Sequence, residues 1–569
     1  MSGRSKKGER PWYSSWPPNV RKHIDYPEVP LYELLRNSAR KYPDNTALIY
    51  FDRKITYKSL NMLSDRFANA LTDLKVKKGD RVAVCLPNVP QFVIAYYGVL
   101  KAGAVVTCIS PLCKEREVKH QLNDSEAETI VVLDVLYPVV EKVWSETKLR
   151  NVIVAGLKDY MPRFKAYFGS LLGKIPSGKV RHKPNVYMFE TLVAKYTAKP
   201  PAVEVNPVED LAALQYTGGT TGTVKAAMLT HMNLVSNAVM CKEWLQPEEA
   251  KETVLAALPL FHIYGMTTSM NAPIYFAGRI VLLPRFNLAE VFQTVQKYRV
   301  TVFCGVPTMY AVFLTHPDLK KYDISSIKFC ISGAAPLPPE VQKRFMEVTG
   351  GVLVEGYGLT EASPITHCNP LDRTMRTVKV GSIGFPWPDT DAKIVDLETG
   401  TRQLSPGETG ELVVKGPQVM KGYWKMPEET VEVLRGGWLY TGDIGKMDED
   451  GYFYITDRKK DLIKYKGYSV YPRELEDVLY MHPAVKLCSV VGKPDFLAGE
   501  IPKAFVVLKE DAAVTEEELM NFVNEKVAAY KAVRELEFRS ELPVNVVGKV
   551  LRRVLRDEEL AKAASKGEC

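Results

Sequence analysis

The chain has 569 residues, of which 46% are hydrophobic and 25% charged, which is ordinary for a soluble globular protein of more than one domain. Its formal net charge of +8 is small for this length, so it does not indicate nucleic-acid binding and we expect no nucleic-acid partner. Nine cysteines occur without a CxxC pair or a metal-ligand spacing, and the polar first ten residues have no signal-peptide core. We therefore expect reduced thiols and a cytoplasmic location.

Strands alternate with helices from residue 31 onward, and this pattern predicts an α/β fold with a doubly wound, mostly parallel sheet. The predicted helices are residues 31–42 and 57–74. The predicted strands are residues 46–51, 54–56, 80–86, 129–133, 151–155, 211–214, 253–258, 280–283, 302–304 and 328–332.

The most apolar run of the sequence, residues 92–110, is not predicted to span a membrane. Lys101 and several glycines interrupt it, and its first half has a helical pattern whereas its second half is strand-like. The run therefore predicts a buried helix, turn and strand.

Residues 158–183 interleave lysines and arginines with aromatic and aliphatic side chains. One interpretation is a solvated insertion that packs its apolar side on the domain, and we favour it. The alternative is an amphipathic element that makes weak peripheral contact with an anionic membrane.

The pattern of predicted secondary structure changes near residue 380. Short strands at 392–396, 410–416, 438–442 and 451–456 predict a β-rich subdomain. A dense run of charges at 457–461 then precedes a stretch of α+β character. We therefore predict a large N-terminal domain over residues 1–456, a hinge at 457–461, and a small, mobile C-terminal domain over residues 462–569.

Residues 216–225 read Tyr-Thr-Gly-Gly-Thr-Thr-Gly-Thr-Val-Lys and are the stretch around which the rest is organised. Glycines let backbone N–H groups turn toward an anion, and threonine hydroxyls and Lys225 add donors and positive charge. This is the chemistry that a polyphosphate needs. The stretch is not a Walker A loop, because Lys225 comes three residues after Gly222, and a flexible surface loop is the alternative.

This stretch resembles the phosphate loop of the adenylate-forming superfamily, which includes acyl-CoA ligases, luciferases and peptide-synthetase adenylation domains. The family pattern is Ser-Gly-Thr-Thr-Gly-x-Pro-Lys-Gly, and this chain departs from it at Gly218, Val224 and Ala226. The resemblance implies that the phosphates of ATP are bound by Thr217, Gly218, Gly219, Thr220, Thr221, Gly222 and Lys225. It also implies that Thr220 acts in catalysis and as a ligand of Mg²⁺.

Two further stretches resemble motifs of the same family, in the family's order. Residues 258–265 contain His262, which the resemblance makes a catalytic residue over the carboxylate pocket, although a lone histidine is more often structural. Residues 332–336 resemble the turn that cradles adenine, through Gly333, Ala334 and Ala335.

A third stretch, Gly356-Tyr357-Gly358-Leu359-Thr360-Glu361, matches the family's most telling internal motif. The resemblance implies nucleotide binding by Gly356, Tyr357, Gly358 and Thr360, with Tyr357 stacked on adenine and Thr360 at the α-phosphate. It makes Glu361 catalytic and a ligand of Mg²⁺.

The C-terminal part of the chain carries the remaining resemblance. Asp443 and Arg458 take the positions that bind the ribose, and Lys460 takes the hinge position. Lys464 and Gly467 lie in the loop that the family brings to the site after its small domain rotates. Lys549, in a Gly-Lys motif, is the candidate catalytic lysine.

The leading residues, such as 27–34 and 91–98, look most like microbial fatty-acyl-CoA ligases. The resemblance implies that a medium- or long-chain fatty acid is joined to AMP, with release of pyrophosphate, and then to coenzyme A. Aryl or short hydroxy acids, a luciferase-like oxygenase, and a paralogue that binds nucleotide or lipid without catalysis remain as alternatives. Family members are often dimers, so a homodimer is also an expectation.

Overall fold

The computed structural model describes residues 10–181, 183–217, 224–372, 374–495, 497–510, 512–545 and 549–566. These residues form two compact units. The large unit comprises residues 16–391 and 415–437, and the small unit comprises the described parts of 1–15, 392–414 and 438–569. The predicted domain limits at 456 and 462 stay a prediction.

The α-helices of the described chain are, in order, α1 Tyr32–Lys41, α2 Tyr57–Asp73, α3 Pro90–Lys101, α4 Glu115–Ser125, α5 Tyr137–Val143, α6 Arg163–Leu171, α7 Phe189–Ala194, α8 His231–Leu245, α9 Ile263–Met266, α10 Ala272–Tyr275, α11 Leu288–Tyr298, α12 Pro307–Thr315, α13 Pro339–Thr349, α14 Pro427–Val433, α15 Pro472–Tyr480, α16 Glu516–Asn524 and α17 Arg552–Lys566.

The strands are β1 Thr46–Tyr50, β2 Arg53–Thr56, β3 Arg81–Cys85, β4 Val105–Cys108, β5 Thr129–Leu133, β6 Asn151–Ala155, β7 Val186–Met188, β8 Leu211–Thr217, β9 Lys225–Thr230, β10 Thr253–Ala256, β11 Arg279–Leu282, β12 Phe329–Ser332, β13 Val352–Gly358, β14 Ile365–Cys368, β15 Phe385–Pro386, β16 Asp391–Val395, β17 Gly410–Lys415, β18 Gly422–Tyr423, β19 Leu434–Arg435, β20 Trp438–Met447, β21 Phe453–Arg458, β22 Ile463–Tyr465, β23 Tyr468–Val470, β24 Val485–Asp495, β25 Gly499–Leu508 and β26 Glu535–Phe538.

An eight-stranded sheet in the large unit has the order β18-β9-β8-β4-β3-β5-β6-β7. The strands from β8 to β7 run parallel, whereas β8–β9 and β9–β18 are antiparallel. Every residue of β5 and β6 is buried, as expected for parallel strands that are covered on both faces. The antiparallel addition of β9 and β18 creates the edge on which the candidate site is built.

Two four-stranded groups, β10-β11-β1-β2 and β12-β13-β14-β15, form the other sheets of the large unit. The predicted strand at 302–304 is wrong as a strand, because Val302 makes only isolated parallel bridges to Val254 and Phe329. These bridges connect β10 to β12. The chain then enters α12 through Pro307, which has no N–H to extend a ladder.

The prediction for the apolar run at 92–110 is confirmed, since α3 is followed by a turn and by β4. Lys101 is buried at the end of α3, and its ammonium lies 2.7 Å from the Asp65 carboxylate of α2. Asn61 and Ser64 also accept hydrogen bonds from it. Within the described residues, no helix has the length and apolar character needed to cross a membrane.

The small unit contains two sheets. Strands β16, β17, β20 and β21 belong to the predicted β-rich subdomain, and β20 pairs antiparallel with β21. Strands β22 to β26 form a second, five-stranded sheet that packs with α15 and α16 around a core that includes Leu475, Val490 and Leu519. The prediction of a large α/β lobe with mostly parallel strands, a β-rich subdomain and a smaller α+β part is therefore confirmed.

We predict that Asp65→Ala destabilises the protein by about 3 kcal/mol, because it leaves the buried Lys101 ammonium without its carboxylate. Burial already lowers the pKa of Lys101 to about 8 despite this partner. Urea unfolding followed by circular dichroism measures the change. Asp44→Ala, which removes an exposed carboxylate from the turn between α1 and β1, is the matched control and should cost less than about 1 kcal/mol. Equal losses for the two variants would contradict the prediction.

Candidate active site

The predicted phosphate loop connects two antiparallel strands of the large unit. Thr217, the last residue of β8, is paired with Lys225, the first residue of β9, and its hydroxyl donates to the Lys225 carbonyl over 3.3 Å. The structure thus places Thr217 in a strand end and not in the loop itself. The candidate residues Gly218, Gly219, Thr220, Thr221 and Gly222 lie outside the described residues.

Tyr423 joins two candidate residues that are 136 positions apart in the sequence, Lys225 and Glu361. The Lys225 ammonium lies 5.2 Å from the centroid of the Tyr423 ring, within the range of a cation–π interaction. The Tyr423 hydroxyl donates a hydrogen bond of 2.7 Å to Glu361 Oε1. Burial and the neighbouring Glu361 carboxylate raise the pKa of Tyr423, so the hydroxyl keeps its proton and stays a donor.

The pairing of β18 with β9 explains how Tyr423 reaches this position. Tyr423 stands opposite Ala227, two residues after Lys225. The segment before β18 is also fixed, because the Met420 N–H donates to the Glu361 carbonyl over 2.8 Å. Two backbone connections therefore hold the Tyr423 ring between the lysine and the carboxylate.

Glu361 sits in a 3₁₀ turn, Thr360–Ala362, directly after β13. Gly356 and Gly358 of β13 allow close packing at this point. A Cβ atom on Gly358 would lie 2.2 Å from the Pro364 carbonyl oxygen, and one on Gly356 would lie 2.8 Å from Ile331. The glycines of this motif are therefore needed for packing around the turn that presents Thr360 and Glu361.

Tyr357 lies between these two glycines and is half-buried. It pairs with His367 of β14, and the two rings meet edge to face with centroids 5.9 Å apart. His367 is fully buried, and burial lowers its pKa to about 3, so its ring is neutral. The neutral His367 ring therefore supports one edge of Tyr357.

Tyr264 connects the His262 motif with the predicted adenine turn. Its N–H donates to His262 Nδ1 over 3.3 Å, and its hydroxyl donates to the Ile331 carbonyl over 2.8 Å. A Cβ atom on Gly333 would lie 3.1 Å from the Tyr264 ring. Ala334 follows with a left-handed φ of 68°, which turns the chain after β12. Ala335 is next, in the same loop.

His262 is half-buried at the start of α9. Although the residue is not fully buried, the surrounding atoms desolvate its imidazole ring and lower its pKa to about 4. Because Nδ1 accepts the Tyr264 N–H, the proton of the neutral ring is on Nε2. His262 is thus a neutral donor near neutral pH and not a cation.

In the small unit, Asp443 and Arg458 form a close ion pair. They are register partners on β20 and β21, and Arg458 Nε lies 3.0 Å from the buried Asp443 carboxylate. The antiparallel pairing puts the two side chains on the same face. The structure therefore brings together the two residues that were predicted to share the ribose.

Lys549 belongs to the same electrostatic environment. The positive charge of Arg458 and desolvation lower the pKa of Lys549 to about 7, whereas Asp443 opposes this shift. The residue is solvent accessible, and its N–H donates to Asn545 Oδ1 over 2.8 Å. Lys549 is consequently only partly charged at neutral pH, unlike an ordinary lysine.

Arg552, three residues after Lys549, was not identified from the sequence. Its guanidinium donates to Asp457 Oδ1 over 2.9 Å and to Glu476 Oε1 over 3.0 Å. Asp457 is fully buried and also accepts the Arg473 N–H. This network fixes the start of α17, and with it the chain that follows Lys549.

Lys464 and Gly467 lie in the β22–β23 hairpin of the small unit. Lys466 and Gly467 form its two-residue turn, and both have positive φ, as a type I′ turn requires. The Lys464 ammonium donates to Ser469 Oγ over 2.9 Å, and its N–H donates to Glu500. These described contacts hold Lys464 in the hairpin. Lys460 precedes it, with a pKa lowered to about 8 by burial and then by Arg458.

We predict that Lys549 titrates near pH 7 in the protein without substrates, and that Arg458→Gln raises its pKa by removing a neighbouring positive charge. NMR of protein labelled at lysine side chains measures both values, with the Lys549 signal assigned by its loss in Lys549→Arg. Lys503, which is paired with Glu537 and Glu559, is an internal control whose signal should not move. A Lys549 midpoint above pH 10 in both proteins would contradict the prediction.

Two family models match long stretches of the chain. Residues 35–424 match the family described as AMP-binding enzyme, and residues 474–549 match the AMP-binding enzyme C-terminal domain. A long-chain-fatty-acid–CoA ligase of Bacillus subtilis (strain 168) is 45% identical over 559 residues, covering 97% of this chain and 99% of the relative. A ligase with the same description from Salmonella typhimurium is 39% identical over 567 residues, covering 98% and 99%.

Among solved structures, ATP-bound MatB from Rhodopseudomonas palustris has a TM-score of 0.82 at 29% identity, covering 93% of this chain and 99% of its own. The family matches span most of the chain, and the resemblance drawn from the motifs is confirmed. The chain belongs to the adenylate-forming, AMP-binding enzyme family.

Proposed function

We propose that this protein is an ATP-dependent ligase that joins a medium- or long-chain fatty acid to coenzyme A. The Lys225–Tyr423–Glu361 cluster, in which Lys225 is the first residue of β9 after the phosphate loop, carries the proposal. The similarity to long-chain-fatty-acid–CoA ligases over nearly the whole chain supports the fatty acid as the substrate class.

The chemistry requires two stages. A carboxylate is a poor acyl donor, because its leaving group would be oxide. Attack of its oxygen on the α-phosphorus of ATP forms an acyl-adenylate and releases pyrophosphate, after which the thiol of coenzyme A attacks the acyl carbon and releases AMP. The first step brings two anions together, so its rate depends on the positive charge and the alignment that the protein supplies.

The residues of the cluster fit Mg²⁺. One oxygen of Glu361 is occupied by the Tyr423 hydroxyl, and the carboxylate keeps further lone pairs for a metal ion. Mg²⁺ usually takes one or two carboxylates together with substrate phosphates, so a single glutamate is a suitable protein ligand. When bound, Mg²⁺ would neutralise phosphate charge. Glu361 would hold it, together with Thr220 by family resemblance.

The other candidate residues take roles that the family suggests. Lys225 supplies charge to the phosphates, and Asp443 with Arg458 binds the ribose. Neutral His262 donates from Nε2 toward the carboxylate pocket. Lys549 stabilises the charge that develops between the carboxylate and the α-phosphate, and the substrate anions favour its protonated form.

Several finer expectations stay predictions. They are the part of Lys464 and Gly467 in thioester formation, the hinge at 457–461, a homodimer and a cytoplasmic location. The Gly333–Ala335 turn and Tyr357 remain predicted adenine contacts.

Acid-dependent exchange between ATP and labelled pyrophosphate tests the proposed function. The acids tested are saturated fatty acids of increasing chain length, benzoate, coumarate and a short hydroxy acid. We expect the highest kcat/KM for medium or long chains and thioester formation when coenzyme A is added. Exchange with the aryl or hydroxy acids alone would overturn the substrate class, and no exchange with any acid would overturn the activity.

We predict that Tyr423→Phe lowers the exchange rate about tenfold and raises the Mg²⁺ concentration needed for half-maximal rate. The variant removes the donor to the Glu361 carboxylate but keeps the ring beneath Lys225, and a hydrogen bond to a charged group contributes about 1.5–3 kcal/mol. Tyr196→Phe removes a comparable tyrosine–aspartate hydrogen bond elsewhere and is the control. An unchanged Mg²⁺ requirement would exclude a role of Tyr423 in positioning Glu361.

We predict that Lys549→Ala reduces adenylate formation at least a hundredfold and leaves thioester formation from added acyl-AMP nearly unchanged. Lys549 stabilises charge only in the first step, and that step can be bypassed. Pyrophosphate exchange and the conversion of acyl-AMP to acyl-CoA are measured separately. Similar losses in both half-reactions would refute this division.

A further inference from the structure

The helix α6 of the large unit carries an apolar face that is exposed. Phe164, Tyr167, Phe168 and Leu171 recur at intervals of three and four residues, which places them along one side of the helix. Their exposed fractions are 62%, 67%, 56% and 70%. Leu172, with 64% exposed, extends the same face. An amphipathic helix normally buries such a face, so the favoured interpretation of an insertion packed on its domain is wrong for α6.

One edge of this face of α6 is attached to the protein. Lys165 forms an ion pair with Asp52, in the turn between β1 and β2. Asp52 also accepts hydrogen bonds from Lys297 and Tyr298 of α11. A polar contact beside the aromatic face therefore anchors α6, while the aromatic side chains stay exposed.

The segment around α6 is strongly basic. Between residues 160 and 189 the sequence contains no aspartate or glutamate. It contains six lysines and arginines, which are Arg163, Lys165, Lys174, Lys179, Arg181 and Lys183. All of them except Lys165 are exposed, and Lys183 is partly neutralised by Glu141 at 2.7 Å. Basic residues thus precede and follow the exposed aromatic side chains in the sequence.

A shallow open cavity of 360 Å³ lies beside this face, and its lining contains both basic and apolar residues. Its lining consists of Lys158, Ala166, Tyr167, Ser170 and Leu171. A mostly apolar depression with one lysine in its lining suits a molecule with an anionic head and an apolar body, such as a phospholipid.

We propose that residues 158–183, which we call the interfacial segment, bind the surface of an anionic phospholipid bilayer. The aromatic and leucine side chains of α6 enter the headgroup region, and the surrounding lysines and arginines lie near lipid phosphates. A second copy of the chain suits this surface less well, because pairing two identical basic faces would bring like charges together. The proposal does not depend on the reaction that the protein catalyses.

Flotation of the full-length protein with vesicles tests the proposal. We expect binding to phosphatidylcholine vesicles that contain 30% phosphatidylglycerol, little binding to pure phosphatidylcholine, and a loss of binding at 0.5 M NaCl. Equal binding to both vesicle types at both salt concentrations would overturn the proposed role of electrostatic attraction to anionic lipids. No binding to the anionic vesicles at low salt would overturn the proposal.

Variants separate the apolar from the basic contribution. Phe164→Ser combined with Tyr167→Ser and Phe168→Ser should weaken binding at least tenfold with an unchanged Tm. Three substitutions of exposed apolar residues elsewhere, Val431→Ser, Met481→Ser and Leu497→Ser, are the matched control and should bind as the wild type does. Equal binding by both triple variants would overturn the assignment to α6.

Charge and insertion are tested in the same assay. Lys174→Glu with Lys179→Glu should abolish binding, whereas Lys343→Glu with Arg344→Glu, on exposed positions of α13, should not. Phe168→Trp should show a blue shift of its fluorescence with anionic vesicles, since the ring leaves water. A wild type that dimerises through this face without binding vesicles, and that the aromatic triple variant converts to a monomer, would overturn the bilayer as the occupant.

Discussion

The contact of Tyr423 with both Lys225 and Glu361 is the constraint on which the candidate site of the large unit depends. The cation lies against the face of the ring, and the carboxylate accepts from its hydroxyl. Because β18 pairs with β9, the backbone of Tyr423 is fixed opposite Ala227, and the hydrogen bond to Glu361 orients its ring. Tyr423 thus contacts Lys225 and Glu361 separately, and among the described residues these two side chains form no ion pair with each other, so both can contact an anionic ligand and its metal ion.

Helices and strands that depend on the local sequence pattern could be predicted from the sequence, whereas contacts between residues distant in the sequence could not. Strands β5 and β6 were predicted with their observed ends, because they are short apolar runs between polar turns. The predicted strand at 302–304 was wrong. Hydrophobic periodicity does not show whether a neighbouring strand can pair with a segment over more than one residue, and only Val302 forms isolated bridges here. Tyr423 and Tyr264 were missed because an aromatic residue gives the same signal in any core.

Charged groups are treated differently in different parts of the structure. Lys101 is buried against Asp65, and the half-buried Arg552 is paired with Asp457 and Glu476, so these charges are compensated and serve the fold. Lys549 instead lies near Arg458, which lowers its pKa to about 7. A lysine that is repelled by a neighbouring cation is stabilised more by an approaching anion than a lysine that is already paired with a carboxylate. This property suits a residue that acts on phosphate. The resemblance suggested Lys549, but its pKa required the structure.

A double-mutant cycle on ATP binding tests most directly whether Lys225 and Glu361 form one site through Tyr423. Calorimetry in the presence of Mg²⁺ would give Kd for the wild type, Lys225→Met, Glu361→Gln and the double variant. Since the two side chains share one partner, we expect their losses of binding free energy to be non-additive by about 1 kcal/mol or more. Additive losses, or an unchanged Kd in either single variant, would contradict the account.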